Sequence, residues 1–176
     1  MRRSGIWRAW QRATSQRDDP LCRPARMVAI DVQTMLRWVE NGGMVYLTVH
    51  DWAEKKELLP YVRFLKTDAA EAEILTGLTD RAEAARQLYQ WGAKEILITH
   101  NTEVLVYDGR EIYTCPIRAR NLSGRTGRGD TTFAGYINER LTADIPTVLR
   151  SATALVPLKM ETPVPFTGTW RMRRPV

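Results

Sequence analysis

Short apolar runs rich in β-branched residues recur along this chain, each followed by a helical pattern. That alternation constrains the fold more than any other feature. Met27 to Val32, Met44 to Thr48, Tyr61 to Lys66 and Glu95 to Thr99 have the length and composition of buried strands. Gln33 to Glu40 suits a helix stopped by Asn41-Gly42-Gly43, and Trp52 to Leu59 a short charged helix closed by Pro60. Asp68 is placed to cap a helix through Leu75 that ends at Gly77. Thr79-Asp80 opens another, in which Ala82, Ala85, Leu88 and Tyr89 recur at helical spacing up to Gly92. Val104 to Tyr107 and Glu111 to Cys115 flank Asp108-Gly109 and read as a hairpin; Asp130 to Leu141 and Ile145 to Lys159 read as two final helices. Strands alternating with helices predict an α/β fold, a mainly parallel sheet flanked by helices with one β-hairpin.

A length of 176 residues suffices for a core without disulfide staples. Cys22 and Cys115 are too few and too far apart for a zinc module or a disulfide framework, so they read as idle thiols in a reducing, cytoplasmic setting. No apolar run reaches the roughly 18 residues a spanning helix needs. The net charge of +6 invites a polyanion partner, but its distribution argues otherwise. Seven arginines and two aspartates before Met27 leave +5, three arginines after Trp170 leave +3, and the body between carries −2. Nucleic-acid binding by that body is therefore not expected, although a protein acting on nucleic acid through its basic ends stays open as a reading.

Three parts follow: residues 1–26 as an Arg-rich, unstructured leader, residues 27–170 as the folded body, and residues 171–176 as a basic tail. The leader also has a transit-peptide flavour, with Ile6, Trp7, Trp10 and Ala13 able to share a helical face. It lacks the apolar segment of an export signal.

Ser123-Gly124-Arg125-Thr126-Gly127-Arg128-Gly129-Asp130-Thr131-Thr132 stands apart. Its glycines let backbone N–H groups approach a ligand closely, and the helix that follows adds unpaired N–H groups and the positive end of its dipole. Such a loop and helix start can hold a phosphate. An aspartate there can accept a hydroxyl proton during phosphoryl transfer, or it can simply cap the helix; spacing alone leaves both open. No G-x-x-x-x-G-K-[ST] phosphate loop occurs in the chain.

Thr126-Gly127-Arg128-Gly129-Asp130-Thr131 resembles the C-terminal D-T-T-G-A-G-D-T signature of the PfkB/ribokinase carbohydrate kinases. Asp68 to Gly77 (D-A-A-E-A-E-I-L-T-G) is similar to that family's N-x-x-E-A-x-x-L-T-G segment. The strand ending at Thr99 and its hairpin fall in the expected order, from about Val28 to Gly168. The resemblance implies a ribokinase-like fold and an ATP-dependent kinase acting on a hydroxyl of a sugar or nucleoside. It makes Asp130 the general base and gives the anion hole to Gly127, Arg128 and Gly129. Asp68 and Glu71 would hold Mg²⁺-bound phosphates through water, and Thr99 and Thr126 would lie near the nucleotide.

The sequence also departs from the family. Gly124 and Arg125 replace the Asp-Thr ahead of Thr126, Arg128 replaces a small residue, and Asn101 and Val104 replace glycines after Thr99. His100 beside them is a candidate polar contact or a surface residue. Family members are considerably longer, so the resemblance implies a truncated chain corresponding to their C-terminal portion. The acceptor-binding and lid segments would then be missing, and an open sheet edge would favour self-association. A catalytically incompetent fragment or pseudo-kinase that keeps the nucleotide half is the alternative to an active enzyme.

Overall fold

A computed structural model describes residues 28–36, 38–39, 45–46, 51–117 and 128–160. The expected leader (1–26) and basic tail (171–176), with Thr126 and Gly127, lie outside the described residues. The elements in chain order are β1 (Val28–Asp31), α1 (Gln33–Leu36), β2 (Trp38–Val39), β3 (Val45–Tyr46), α2 (Lys55–Leu58), a 3-10 turn (Leu59–Tyr61) and β4 (Val62–Asp68). There follow α3 (Ala69–Thr76), α4 (Arg81–Gln90), β5 (Glu95–Thr99), β6 (Glu103–Tyr107), β7 (Ile112–Pro116), α5 (Arg128–Arg140) and α6 (Ile145–Met160).

Five strands form one mixed sheet in the order β1-β4-β5-β6-β7. β1, β4 and β5 are parallel neighbours, while β5–β6 and β6–β7 pair antiparallel. The fold is thus α/β as expected, with the hairpin extending the sheet beyond β5. Gly109 takes a positive φ of 91° in that hairpin's turn, where Asp108 Oδ1 accepts from the N–H groups of Arg110 and Glu111.

Two local expectations change. Residues 33–40 do not form one helix: α1 stops at Leu36, and Trp38–Val39 pair antiparallel with Val45–Tyr46 in a separate two-stranded sheet. The physical reason is competition. Strand-forming Val39 and Val45 flank an Asn-Gly-Gly sequence suited to a hairpin, which outweighs a short helical pattern. Of the run from Met44 to Thr48, the described residues Val45–Tyr46 form β3 of the small sheet and are not part of the main one.

The main sheet is buried on both faces. On one, Leu65, Ile96, Ile98 and Leu105 pack against Ala72 and Leu75 of α3 and Ala84, Ala85 and Leu88 of α4. On the other, Phe64, Leu97, Val104 and Val106 meet Phe133 and Tyr136 of α5 and Val148, Leu149 and Ala152 of α6. Strands buried on both faces explain their near-continuous apolar sequences. The register between β1 and β4 shifts after Val28, so that Val28 opposes Val62 and Ala29 opposes Phe64. The extra residue, Arg63, turns Phe64 and Lys66 toward the α5–α6 side.

Helix α5 is pinned far from its start. Tyr136, fully buried, donates its hydroxyl to Glu95 Oε1 at the beginning of β5, and Arg140 Nε reaches Glu95 Oε1 and Oε2 at 3.1 and 3.2 Å. The Tyr136 ring stands edge-on to Phe64, with centroids 6.4 Å apart. Burial and the neighbouring Glu95 carboxylate push the Tyr136 hydroxyl well above its ordinary range, so it remains a proton donor in this contact. At about 1.5 Å per residue, α5 covers the strand length, and anchoring its C-terminal half fixes where Arg128 to Asp130 stand at the other end.

Candidate functional site

The carboxyl ends of β1, β4 and β5 lie side by side, the position where open α/β sheets place their ligands. Asp31 pairs with Lys66 in the β1–β4 register, and Asp68 with Thr99 in the β4–β5 register. The start of α5 stands over this edge. A side chain added at Gly129 would place its Cβ 2.9 Å from Lys66 Nζ, so helix backbone and ammonium are in close approach.

Asp68 and Glu71 form a reciprocal cap at the start of α3. Asp68 Oδ1 accepts from the Glu71 N–H at 2.8 Å, and Glu71 Oε2 accepts from the Asp68 N–H at 2.8 Å. Gly77, with φ 75°, ends the same helix in the left-handed conformation. Burial pushes the Glu71 carboxyl above its ordinary range. The Asp68 amide pulls it back, the Asp68 carboxylate raises it, Lys66 lowers it and Asp31 raises it. The Asp31–Lys66 ion pair and the Asp68–Glu71 cap thus lie within electrostatic reach of each other at the ends of β1 and β4.

Thr99 is buried, and its hydroxyl lies 3.4 Å from the Thr67 carbonyl oxygen. Asp130 lies in the first turn of α5 with an exposed side chain. His100 Nδ1 contacts Thr102 Oγ1 at 3.0 Å, Asn101 is exposed, and Val104 is fully buried in the α5–α6 core.

The structure therefore brings Asp68, Glu71 and Thr99 to one edge and sets Gly129 and Asp130 above it. Two charged residues there were absent from the expected set. Asp31 and Lys66 lie 2.9 Å apart as an ion pair, with Lys66 only 5% exposed. Asp31 Oδ1 accepts from the Gln33 N–H at 3.1 Å, while Oδ2 accepts no aligned hydrogen bond from the described residues despite its contact with Lys66. A signal for both existed: Asp31 closes the otherwise apolar β1, and Lys66 follows the apolar Phe64-Leu65 within β4.

Among the described residues, no three His, Cys, Asp or Glu side chains converge on a metal position. Asp68 Oδ1 and Glu71 Oε2 are committed to the α3 cap, which leaves each residue one carboxylate oxygen for other partners. That donor set fits a hydrated Mg²⁺ held through its water and does not form a closed cage. No described helix is long and apolar enough to cross a membrane.

Comparison with known proteins gives one consistent result. The model of the pfkB family carbohydrate kinases matches residues 28–161. A cytidine kinase of Thermococcus kodakarensis is 38% identical over 85 residues, which are 47% of this chain and 31% of the relative. The solved structure of a pyrophosphate-dependent kinase in the ribokinase family, complexed with a pyrophosphate analog and myo-inositol, is 38% identical. That alignment covers 79% of this chain and 50% of the other, with a TM-score of 0.71. An Arabidopsis thaliana ribokinase complexed with ribose and ATP shares the fold at 21% identity and a TM-score of 0.61, over 83% of this chain and 44% of that one. The chain spans about half the length or less of these relatives.

Proposed function

The chain belongs to the pfkB family of carbohydrate kinases, and from that premise we propose that it transfers a phosphoryl group to a hydroxyl of a small polyol, a sugar or a nucleoside. The observation that carries this reading is the placement of Gly129 and Asp130, at the start of α5, over the strand edge that holds Asp68 and Glu71.

In the proposed reaction the acceptor O–H gives its proton to the exposed Asp130 carboxylate as the oxygen bonds to the terminal phosphorus of the donor. The P–O bond to the leaving phosphate breaks, and the leaving group takes the electron pair. Backbone N–H groups of Gly127, Arg128 and Gly129 hold the equatorial oxygens, where the helix dipole also favours negative charge. Asp68 and Glu71 would hold a hydrated Mg²⁺ through its water, and the ion would supply positive charge against the donor's phosphates. Thr99 and Thr126 flank the donor.

ATP is the donor implied by the family signature. A second reading, inorganic pyrophosphate, draws on the 38% identity to a pyrophosphate-dependent kinase over 79% of the chain. It also draws on the replacement by Asn101 and Val104 of the glycines that resemblance places near a nucleotide.

The test is turnover by the purified chain with Mg²⁺ and either ATP or pyrophosphate, across sugars, nucleosides and myo-inositol, beside Asp130→Asn. The proposal expects turnover with one donor, a loss of at least about 100-fold in Asp130→Asn, and donor binding retained by that variant. Turnover unchanged in Asp130→Asn removes the assigned base. Donor binding without turnover by the parent chain favours the incompetent alternative, and absence of both removes the kinase reading.

A further inference from the structure

Glu95 and Tyr136 are buried and Arg140 is half-buried, at the opposite end of β5 from Thr99 and the strand edge just described. We infer that these three are positioning residues for the proposed reaction: they fix the register of α5 along β5, and with it where Asp130 and the backbone at the start of α5 stand. This rests on the kinase reading above.

Helix α5 runs antiparallel to β5. Its C-terminal half meets Glu95, the first residue of β5, while its first turn stands near the carboxyl end of β4. Glu95, Leu97 and Thr99 alternate along one face of β5, and Leu97 packs in the same core as Phe133 and Tyr136, so that face looks toward α5. One carboxylate therefore holds the helix at one end of a face whose other end carries Thr99. Asp130 lies ten residues before Arg140, about 15 Å along the helix axis.

Taking a carboxylate out of water is costly, and an apolar trio of similar volume usually serves stability as well as a buried ionic one. What the ionic trio adds is direction. Tyr136 and Arg140 stand four positions apart on one helix face, and both donate to Glu95 Oε1, Arg140 through Nε at 3.1 Å. Arg140 Nε also reaches Oε2 at 3.2 Å, and its Nη1 donates to the Ala143 carbonyl oxygen at 3.0 Å, in the turn that leads into α6. Hydrogen bonds weaken steeply as their angle departs from linear, so two donors on one carboxylate resist both sliding and rotation of the helix. The apolar contacts of Phe133 and Ile137 in the same core carry no such direction. The helix transmits the constraint along its axis. A slip at Tyr136 is the same slip at Asp130, and misplacement by about 1 Å can cost about 100-fold in rate.

Stability and turnover measured on the same full-chain variants separate a positioning role from a merely structural one. Tyr136→Phe, Leu88→Ala and the apolar variant Glu95→Leu/Tyr136→Phe/Arg140→Met would be compared with the parent in urea unfolding. Turnover would be followed with Mg²⁺ and whichever donor, ATP or pyrophosphate, the parent accepts, at a temperature where all are folded. Leu88 packs on the other face of the sheet and controls for lost stability alone; Leu88→Val replaces the alanine if that does not fold. Tyr136→Phe should lower kcat by about 10- to 100-fold, with a smaller rise in donor KM. The Leu88 variant should keep kcat within about twofold of the parent. The apolar variant should recover stability without recovering turnover. Turnover that returns together with stability, or a kcat in Tyr136→Phe within about twofold of the parent, overturns the inference and leaves the kinase reading intact. If the apolar variant does not fold, Tyr136→Phe against the Leu88 variant decides. Where the parent binds a donor without turnover, calorimetric affinity takes the place of kcat: Tyr136→Phe should bind about 10-fold more weakly, and equal affinity overturns the inference. A parent that neither binds nor turns over either donor overturns both readings.

Discussion

Gly129→Ala is the most direct probe of how α5 meets the strand edge. Intrinsic propensity favours the change: alanine is better than glycine within a helix by about 0.8–1 kcal/mol, and less in the first turn. The surroundings oppose it. The new methyl would lie 2.9 Å from Lys66 Nζ and 3.1 Å from Cε, both tighter than ordinary contacts. A lysine at the surface would swing away at little cost, but Lys66 is buried and held by Asp31 at 2.9 Å. Forcing atoms into a packed site costs about 1–3 kcal/mol, and complete rupture of a buried pair about 3–5 kcal/mol. The net expectation is a loss of about 1–2 kcal/mol, or a melting temperature lower by about 2–8 °C for a chain of this size. Urea unfolding monitored by circular dichroism measures it. The cause is isolated by a double-mutant cycle with Lys66→Met, whose side chain is one atom shorter and no longer tethered. In that background the alanine should be neutral or mildly stabilising, giving a coupling of about 1–3 kcal/mol. Stability equal to or above the parent in Gly129→Ala, or additive effects in the cycle, would refute the close approach.

Tyr136→Phe removes the hydroxyl that donates to buried Glu95 and should cost about 1.5–3 kcal/mol, because Arg140 remains as the carboxylate's partner. Combined with Glu95→Gln, it should show non-additivity in the same unfolding assay; a loss below about 0.5 kcal/mol would mean that the contact does not anchor α5. Asp144→Ala tests a local cap. Thr147, through its side chain and its N–H, holds the Asp144 carboxyl below its ordinary value of 3.8. Because the folded state favours the ionised form, Asp144 adds stability above that pH and loses it as pH falls through the lowered value. The alanine variant should therefore melt lower than the parent at neutral pH. That difference should close in thermal scans taken progressively below pH 3.8; a constant difference down to pH 2 would contradict the linkage.

Much of the fold was legible residue by residue. The Asp68 cap and Gly77 stop, the Asp108-Gly109 hairpin and the β4 and β5 runs depend on local chemistry that a few adjacent residues set. Local chemistry failed at residues 33–40, where a helical pattern yielded to strand pairing with Val45–Tyr46 across a turn-forming sequence. It also left open where the hairpin goes; only pairing of β6 with β5 makes the sheet mixed.

The candidate site divides along the same line. Glycine spacing before a helix and an acid at its start are local features, so Gly129 and Asp130 could be singled out from the sequence alone, as could Asp68 and Glu71 as a cap. Asp31 and Lys66 are 35 positions apart in the chain, and each alone is merely a charge within a strand. Their meeting depends on β1 pairing parallel with β4, on the extra residue at Arg63 that turns Lys66 toward α5, and on the distant Glu95–Tyr136–Arg140 contact that sets where α5 begins. The sequence by itself determined which segments become strands, caps and a phosphate-suited helix start, because those follow from neighbouring residues. Which charges face one another across that start was decided only in the tertiary structure, because strand register and helix anchoring join residues that no local pattern connects.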